Sequence, residues 1–308
     1  DAQLPDSTVV TGENVNGSVA FADYPSLAID ASMTVDGQKV TAHGRYASNR
    51  QYDFTVSADA VNGTYASSFI PSSADVVIRS GTVENVKVRV ADSHNGFFLS
   101  GQADVSDGHV TVQGLEVDGL KGHAALTSKD ITLSDVEGRV NGQDFRVGGT
   151  IVTNGDTPVF NLNVDVPGAD VTAFADYLPV AISGTAGFKG TVWGTVQDVN
   201  ARGTASLHDM TYNGYTVDEA QVDLIYSQNR LDIDSLTAQA YGASLSGKGV
   251  YDIQSGAYEA DADVDGLDLS AVPGVPVAVM GSLSASLHAA GNSTDNSIMA
   301  TGHVTAGD

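Results

Sequence analysis

Apolar residues recur at every second position along almost the whole chain, as in Tyr52, Phe54, Val56 and Ala58, in Phe160, Leu162, Val164 and Val166, and in Val222, Leu224 and Tyr226. A period of two belongs to β-strands, whose side chains alternate between two faces. Between these positions stand Asp53, Thr55 and Ser57, Asn161, Asn163 and Asp165, and Asp223 and Ile225, so the second face is largely polar and made for water. The runs are punctuated by Asn62-Gly63, Asn95-Gly96, Asn141-Gly142, Asn154-Gly155, Asn213-Gly214, Asp36-Gly37, Asp107-Gly108 and Asp118-Gly119, pairs that tolerate positive φ and favour tight hairpins. The pattern predicts an antiparallel meander in which sequence neighbours are spatial neighbours. One stretch alone reads as helix: Asp170 as N-cap, Val171, Phe174 and Leu178 on one face, and Pro179 as the stop, about two turns in all.

Charge narrows the possible partners. With 38 Asp and Glu against 14 Lys and Arg the net charge is -24, which repels nucleic-acid phosphates and bare anionic membrane surfaces. There is no cysteine, hence no disulfide, no thiolate metal site and no cysteine nucleophile. No run approaches the roughly 18 apolar residues of a membrane-spanning helix, and no basic leader opens the sequence. Both ends read as mid-chain, so the expectation is a segment excised from a longer protein.

No motif supports catalysis. Gly242 to Lys248 has the spacing of a phosphate-binding loop, but Gly249 stands where a magnesium-ligating Ser or Thr belongs. Asp261, Asp263 and Asp265 imitate the start of a calcium loop, yet the twelfth position is Val272 where the bidentate Glu is needed. No two histidines are spaced as metal ligands, no Ser lies in GxSxG, and no carboxylate pair stands out from the acidic background. The expectation is therefore a non-enzyme with no catalytic residue, no cofactor and no metal. Trp193 is either ordinary packing or an anchor on the apolar face.

The sequence repeats itself. Gly114 to Gly149 aligns with Gly214 to Gly249 at a constant offset and without a gap: Val117-Asp118 falls on Val217-Asp218, and Ile131 and Leu133 on Leu231 and Ile233. An earlier copy begins at Asp36-Gly37 and Gly44, and Leu178 to Gly184 matches Val275 to Gly281, with Ile70-Pro71 as a weaker version. The expected organisation is one continuous segment over 1–308, in units of approximately 1–80, 81–195 and 196–308, with no linker between them.

A sheet with one apolar face must cover it with helices, with a second sheet, or by curling on itself. Helices are missing. A sandwich or solenoid would suffice, but the inward positions mix Val, Ile and Leu with small residues such as Ala58, Gly149, Gly247 and Ala260, which fill a wide interior poorly. A hydrocarbon guest would fill it: burying an acyl chain of about 16 carbons gains roughly 12 kcal/mol at about 0.8 kcal/mol per methylene.

The order of Val164-Asp165-Val166, the short helix into Leu178-Pro179 and Gly184, Asn213-Gly214, Val217-Asp218-Glu219-Ala220 and Gly247-Lys248-Gly249-Val250-Tyr251-Asp252 resembles the AsmA-like repeat family of diderm bacteria, and within it the TamB group. The likeness covers about residues 30 to 292. It implies an all-β, elongated antiparallel β-taco, a trough with a hydrophobic groove running its length. It implies also a periplasmic protein anchored in the inner membrane that carries phospholipid between inner and outer membranes. A BamA-family outer-membrane barrel protein is the implied partner, through regions outside this stretch, with a linked role in outer-membrane biogenesis. The residues expected to line the groove and solvate acyl tails are Val40, Phe54, Val56, Phe145, Val147, Phe160, Leu162, Val164, Leu224, Tyr226, Leu231, Ile233, Leu245 and Tyr251. Two other classes fit the same alternation: a chaperone-like scaffold for outer-membrane strands, and an extracellular structural or adhesive repeat.

Overall fold

The structure, a computed structural model, describes all residues except 1, 4–8, 24–25, 48–50, 66–75, 94–95, 113, 156, 179, 276–280 and 308. Asn95, Ile70-Pro71, Pro179 and most of the Val275 to Gly281 match lie outside the described residues. The protein is all-β and antiparallel. Two compact units divide it, Asp1–Phe160 and Asn161–Asp308.

In the first unit a two-residue pair, β1 (Ala2–Gln3) and β2 (Val9–Val10), stands apart from the main ladder. The ladder comprises β3 (Glu13–Asp23), β4 (Ser26–Val35), β5 (Gln38–Ala47), β6 (Tyr52–Asn62), β7 (Val76–Ser93), β8 (Gly96–Val112), β9 (Leu115–Thr127), β10 (Asp130–Val140) and β11 (Gln143–Val152). Each of these pairs with its successor. Strand β12 (Val159–Asp170) crosses into the second unit, where a short helix (Val171–Tyr177) leads to β13 (Ile182–Gly194). From there β14 (Val199–Tyr212), β15 (Tyr215–Ser227), β16 (Arg230–Ala240), β17 (Ala243–Asp252), β18 (Ala257–Asp268), β19 (Ser282–Asn292) and β20 (Ser297–Gly307) again pair in sequence order.

The expected helix is present at its expected start, but as a 3-10 helix. Asp170 caps it by accepting from the Thr172 amide at 2.9 Å, and Phe174 departs from helical angles. Seven residues cannot repay the nucleation of an α-helix, and short segments of this kind settle as 3-10 turns.

Asn62-Gly63 at the end of β6 and Asn154-Gly155 in the β11–β12 connection have no positive φ and close no tight hairpin; the other described turn signals separate into two kinds. Asp36-Gly37, Asn141-Gly142 and Asn213-Gly214 have positive φ at both residues and close two-residue hairpins, as do Tyr241-Gly242 and Gln228-Asn229. Asp107-Gly108 and Asp118-Gly119 do not turn the chain; they sit inside β8 and β9, where the register slips. The reason lies in the phase of the apolar pattern. In β8 it runs Leu99, Gly101, Ala103 and Val105, then Val110 and Val112, switching parity at Asp107, whose φ is +51°. In β10 the switch falls at Asp135 (φ +52°), between Leu133 and Val136, and in β14 at Asp209 (φ +50°), between Leu207 and Met210. An Asp or Asn in the left-handed region forms a bulge that inserts one residue and returns the next apolar side chain to the original face.

The internal similarity extends to the ladders. Strands β9, β10 and β11 begin and end 100 residues before β15, β16 and β17. Ile131 opposes Leu126 as Leu231 opposes Tyr226, and the β10/β11 slip between Leu133 and Val136 is matched in β16/β17 between Ile233 and Leu236.

Two glycines separate the roles of this residue. Gly214 has φ +83° with nothing near its would-be Cβ, so Ala there is opposed only by backbone strain, about 1–2 kcal/mol. Gly203 faces Gly190 across the β13/β14 ladder, and a Cβ on it would lie 2.3 Å from the Lys189 carbonyl oxygen and 2.7 Å from the Gly190 Cα. In urea titrations Gly203→Ala should lower the unfolding midpoint more than Gly214→Ala, because there the strands themselves must part.

Candidate functional site

The strands align their apolar side chains into rows that cross the sheet from one strand to the next. In the first unit one row runs Ala31, Ala42, Val56, Val88, Gly101, Leu126, Ile131 and Ile151 over β4 to β11. A second runs Val19, Ile29, Gly44, Phe54, Val90 and Leu99 over β3 to β8. In the second unit four rows lie side by side over β13 to β20. They start at Ala186, Phe188, Gly190 and Val192, and every position in them is apolar or Gly.

Of the residues expected to line a groove, Phe54, Val56, Leu224, Tyr226, Leu231, Ile233, Leu245 and Tyr251 stand on these rows, and Val40, Phe145 and Val147 have apolar or Gly partners beside them. Val40 stands between Met33 and Ala58; Phe54 and Val56 occupy the two rows of the first unit; Phe145 opposes Gly138, and Val147 opposes Val136. In the second unit Leu224 and Ile233 are direct partners, as are Tyr226, Leu231 and Tyr251 in succession, and Leu245 lies between Ala238 and Val264. On β12, Phe160 closes the first unit and Leu162 and Val164 open the second, half-buried between the exposed Asn161 and Asn163. All these side chains are half-buried, none enclosed and none fully exposed. The alternation within single strands did not reveal Ile29, Val88, Val90, Leu99, Phe188, Leu236 and Leu287 as members of the same rows, because that membership is set by the registers between strands. Trp193 opposes Asn200 and has the parity of the polar face, one residue away from the apolar row of Val192.

Large and small residues alternate across the rows. A Cβ on Gly44 would lie 2.4 Å from the Phe54 ring, one on Gly138 3.2 Å from the Phe145 ring, and one on Gly291 2.6 Å from the Tyr258 hydroxyl. Each bulky side chain thus spreads over a neighbouring strand that has none. Even so the face is not closed. Among the described apolar residues only Val and Ala are buried, from Ala243 at 0% exposure to Val222 at 9%, and no large side chain is fully enclosed. The chain exposes 18598 Å² at 31.7 kDa. Two separate compact globules of half that mass would expose roughly 14,700 Å² together.

The opposite face is polar and locally paired. Asp53 accepts from Arg89 Nε at 2.9 Å and Nη2 at 2.7 Å, and Glu137 receives Lys121 at 2.7 Å. His43 meets Asp30 at 2.5 Å, His123 meets Asp104 at 2.7 Å and His288 meets Asp261 at 2.8 Å, each from the directly opposed strand position, and His109 meets Asp118. The three carboxylates that imitate a calcium loop are engaged with β19: Asp261 with His288, Asp263 with Ser286 Oγ at 2.5 Å, and Asp265 with Ser284 Oγ at 2.8 Å. Among the described residues no cluster of His, Asp and Glu could hold a metal ion. The Gly242 to Lys248 segment is a hairpin turn followed by β17, with Lys248 Nζ 3.6 Å from Asp261. No helix among the described residues is long and apolar enough to cross a membrane. No family model, no curated protein and no solved structure matches the chain.

The fork of hydrogen bonds from Arg89 holds the Asp53 carboxyl below its ordinary value, and His123 and His288 do the same for Asp104 and Asp261. A lowered folded pKa stabilises above the unfolded value and ceases to do so as pH falls through the folded one. The urea-midpoint difference between wild type and Arg89→Gln should therefore be full at pH 5 to 7 and shrink below about pH 4. A difference that grows on acidification would contradict this pairing.

Proposed function

We propose that the apolar faces of this protein carry lipid hydrocarbon. The protein acts as a non-enzymatic segment of a periplasmic phospholipid conduit, of the TamB type in the AsmA-like repeat family. The observation that carries the reading is the combination of unbroken apolar rows with the fact that no large side chain among the described residues is fully enclosed. A sheet evolved only to pack on itself encloses its Leu, Phe and Tyr side chains; here they keep access to whatever fills the space in front of them. In water that exposure is costly, and a guest of about 16 methylenes recovers roughly 12 kcal/mol by covering it.

In this reading the ladders curl as a β-taco, the repeated units extend one trough, and acyl chains lie across the rows while headgroups stay at the wetter strand ends. Tyrosines fit such a border. Tyr226 Oη reaches Asn229 at 3.4 Å, Tyr251 Oη pairs with Ser293 Oγ at 3.1 Å, and Tyr258 Oη donates to the Ser297 carbonyl at 3.3 Å, so each ring carries a polar tip at a strand end. The net charge of -24 keeps the rest of the surface off anionic bilayers.

Photo-crosslinking from Phe160 or Leu245, followed by mass analysis, separates the possible occupants. Phospholipid adducts are expected; a polypeptide adduct would indicate a strand-holding scaffold, and no adduct an inert structural repeat. Phe145→Asp and Leu162→Asp should leave the strand content and urea midpoint largely unchanged yet stop lipid passage in a vesicle-to-vesicle transfer assay. Global unfolding of both variants would instead show that these positions form a packed core.

A further inference from the structure

Asn-Gly pairs begin at Asn16, Asn62, Asn95, Asn141, Asn154 and Asn213, and the fold holds four of the described ones in place. Asn141 and Asn213 stand at φ +48° and +51° in two-residue hairpins closed by the opposed pairs Val140/Gln143 and Tyr212/Tyr215. Asn62 ends β6 opposite Thr82, and its Oδ1 accepts from the Thr64 amide at 3.0 Å and the Thr64 hydroxyl at 2.9 Å. Asn16 lies inside β3 opposite Ser32, with its Nδ2 donating to the Asn14 carbonyl at 2.8 Å.

Asn154 has no such restraint. It and Gly155 are exposed in the connection between β11 and β12, neither belongs to a strand, and among the described residues the Asn154 side chain makes no hydrogen bond. The anchor that precedes them is the Thr153 amide, which donates to the Lys129 carbonyl at 2.7 Å. Beyond its chain neighbours, the nearest atom to a Cβ on Gly155 would be the Thr157 carbonyl oxygen, 3.7 Å away. The Gly155 nitrogen is therefore unscreened, and glycine lets the backbone around it turn.

We propose that Asn154-Gly155 is a modification site at which the folded chain converts itself to isoaspartate. The Gly155 nitrogen bonds to Asn154 Cγ, and the Cγ–Nδ2 bond breaks, the amide proton of Gly155 leaving with Nδ2 as ammonia. Water then opens the succinimide by breaking a bond between the ring nitrogen and one carbonyl carbon, and the nitrogen regains its proton. Opening on the side-chain carbonyl gives aspartate; opening on the main-chain carbonyl gives isoaspartate, through which the backbone runs by way of Cβ and Cγ. Nothing is oxidised or reduced. Closing the ring requires the Asn side chain and its ψ to turn together, which a strand ladder, a left-handed hairpin position or an engaged Oδ1 each opposes. The product adds a carboxylate and an extra main-chain carbon where no strand register is set, so the ladders survive it. This inference is independent of the lipid-carrying reading.

The test incubates the whole chain at mildly alkaline pH, folded and in urea, and follows each Asn-Gly peptide by mass spectrometry, with isoaspartate counted by isoaspartyl methyltransferase and labelled S-adenosylmethionine. In the folded chain Asn154 should react first, and Asn16, Asn62, Asn141 and Asn213 about tenfold more slowly or less, because each must open locally before its ring can close. In urea these five should react at comparable rates. Gly155→Ala should slow the reaction at Asn154 and at no other site. A folded chain in which a strand or hairpin Asn keeps pace with Asn154, or in which Asn154 stays intact, overturns the site. So does a preference for Asn154 that persists in urea, or an unchanged rate in Gly155→Ala.

Discussion

Everything in this protein follows from having to keep one face of a long antiparallel ladder apolar from strand to strand. Alternation within a strand is only half of that requirement. The other half is register, because a slip of one residue would turn a whole strand inside out. The four side-by-side rows over β13 to β20 show how fully it is met: Ala186, Leu207, Ala220, Ala238, Leu245, Val264, Ala285 and Val304 form one unbroken line. The result is a surface that is continuous across the strands and nowhere sealed.

Two devices hold that surface together. Glycine lies beside bulky side chains, so the rings of Phe54 and Phe145 occupy space on the neighbouring strand that a Cβ would contest. Asp and Asn residues at positive φ take up the places where the apolar phase changes. These bulges let strands such as β7 and β8 reach 18 and 17 residues without losing their facing, and each adds local twist to the ladder. The acidic composition thus contributes to the backbone as well as to the surface: Asp107, Asp135 and Asp209 are conformational elements.

Much of the fold is legible in the sequence, and the limits of legibility have physical causes. Period two, the paired turn residues and the internal match identify strands, neighbours and repeated ladders because all three are local or self-referential signals. The dipeptides Asp107-Gly108 and Asp118-Gly119 carry the same chemistry whether they close a hairpin or open a bulge; only the parity of the flanking apolar residues, odd before and even after, tells which. The helix at Asp170 is legible as a capped turn, whereas its 3-10 winding depends on its shortness. The candidate groove residues can be picked out strand by strand, but their assembly into rows needs the registers.

The shared register of β10/β11 and β16/β17, and the equal spans of β9 and β15, have an evolutionary corollary. Unequal recombination between the two coding stretches would insert or excise 100 codons and rejoin the frame inside equivalent strands. Each such event changes the ladder by six strands, an even number, so the polypeptide re-enters travelling in the same direction with the same side chains facing the same way. A lineage could therefore lengthen or shorten this architecture in discrete increments while keeping its apolar face aligned.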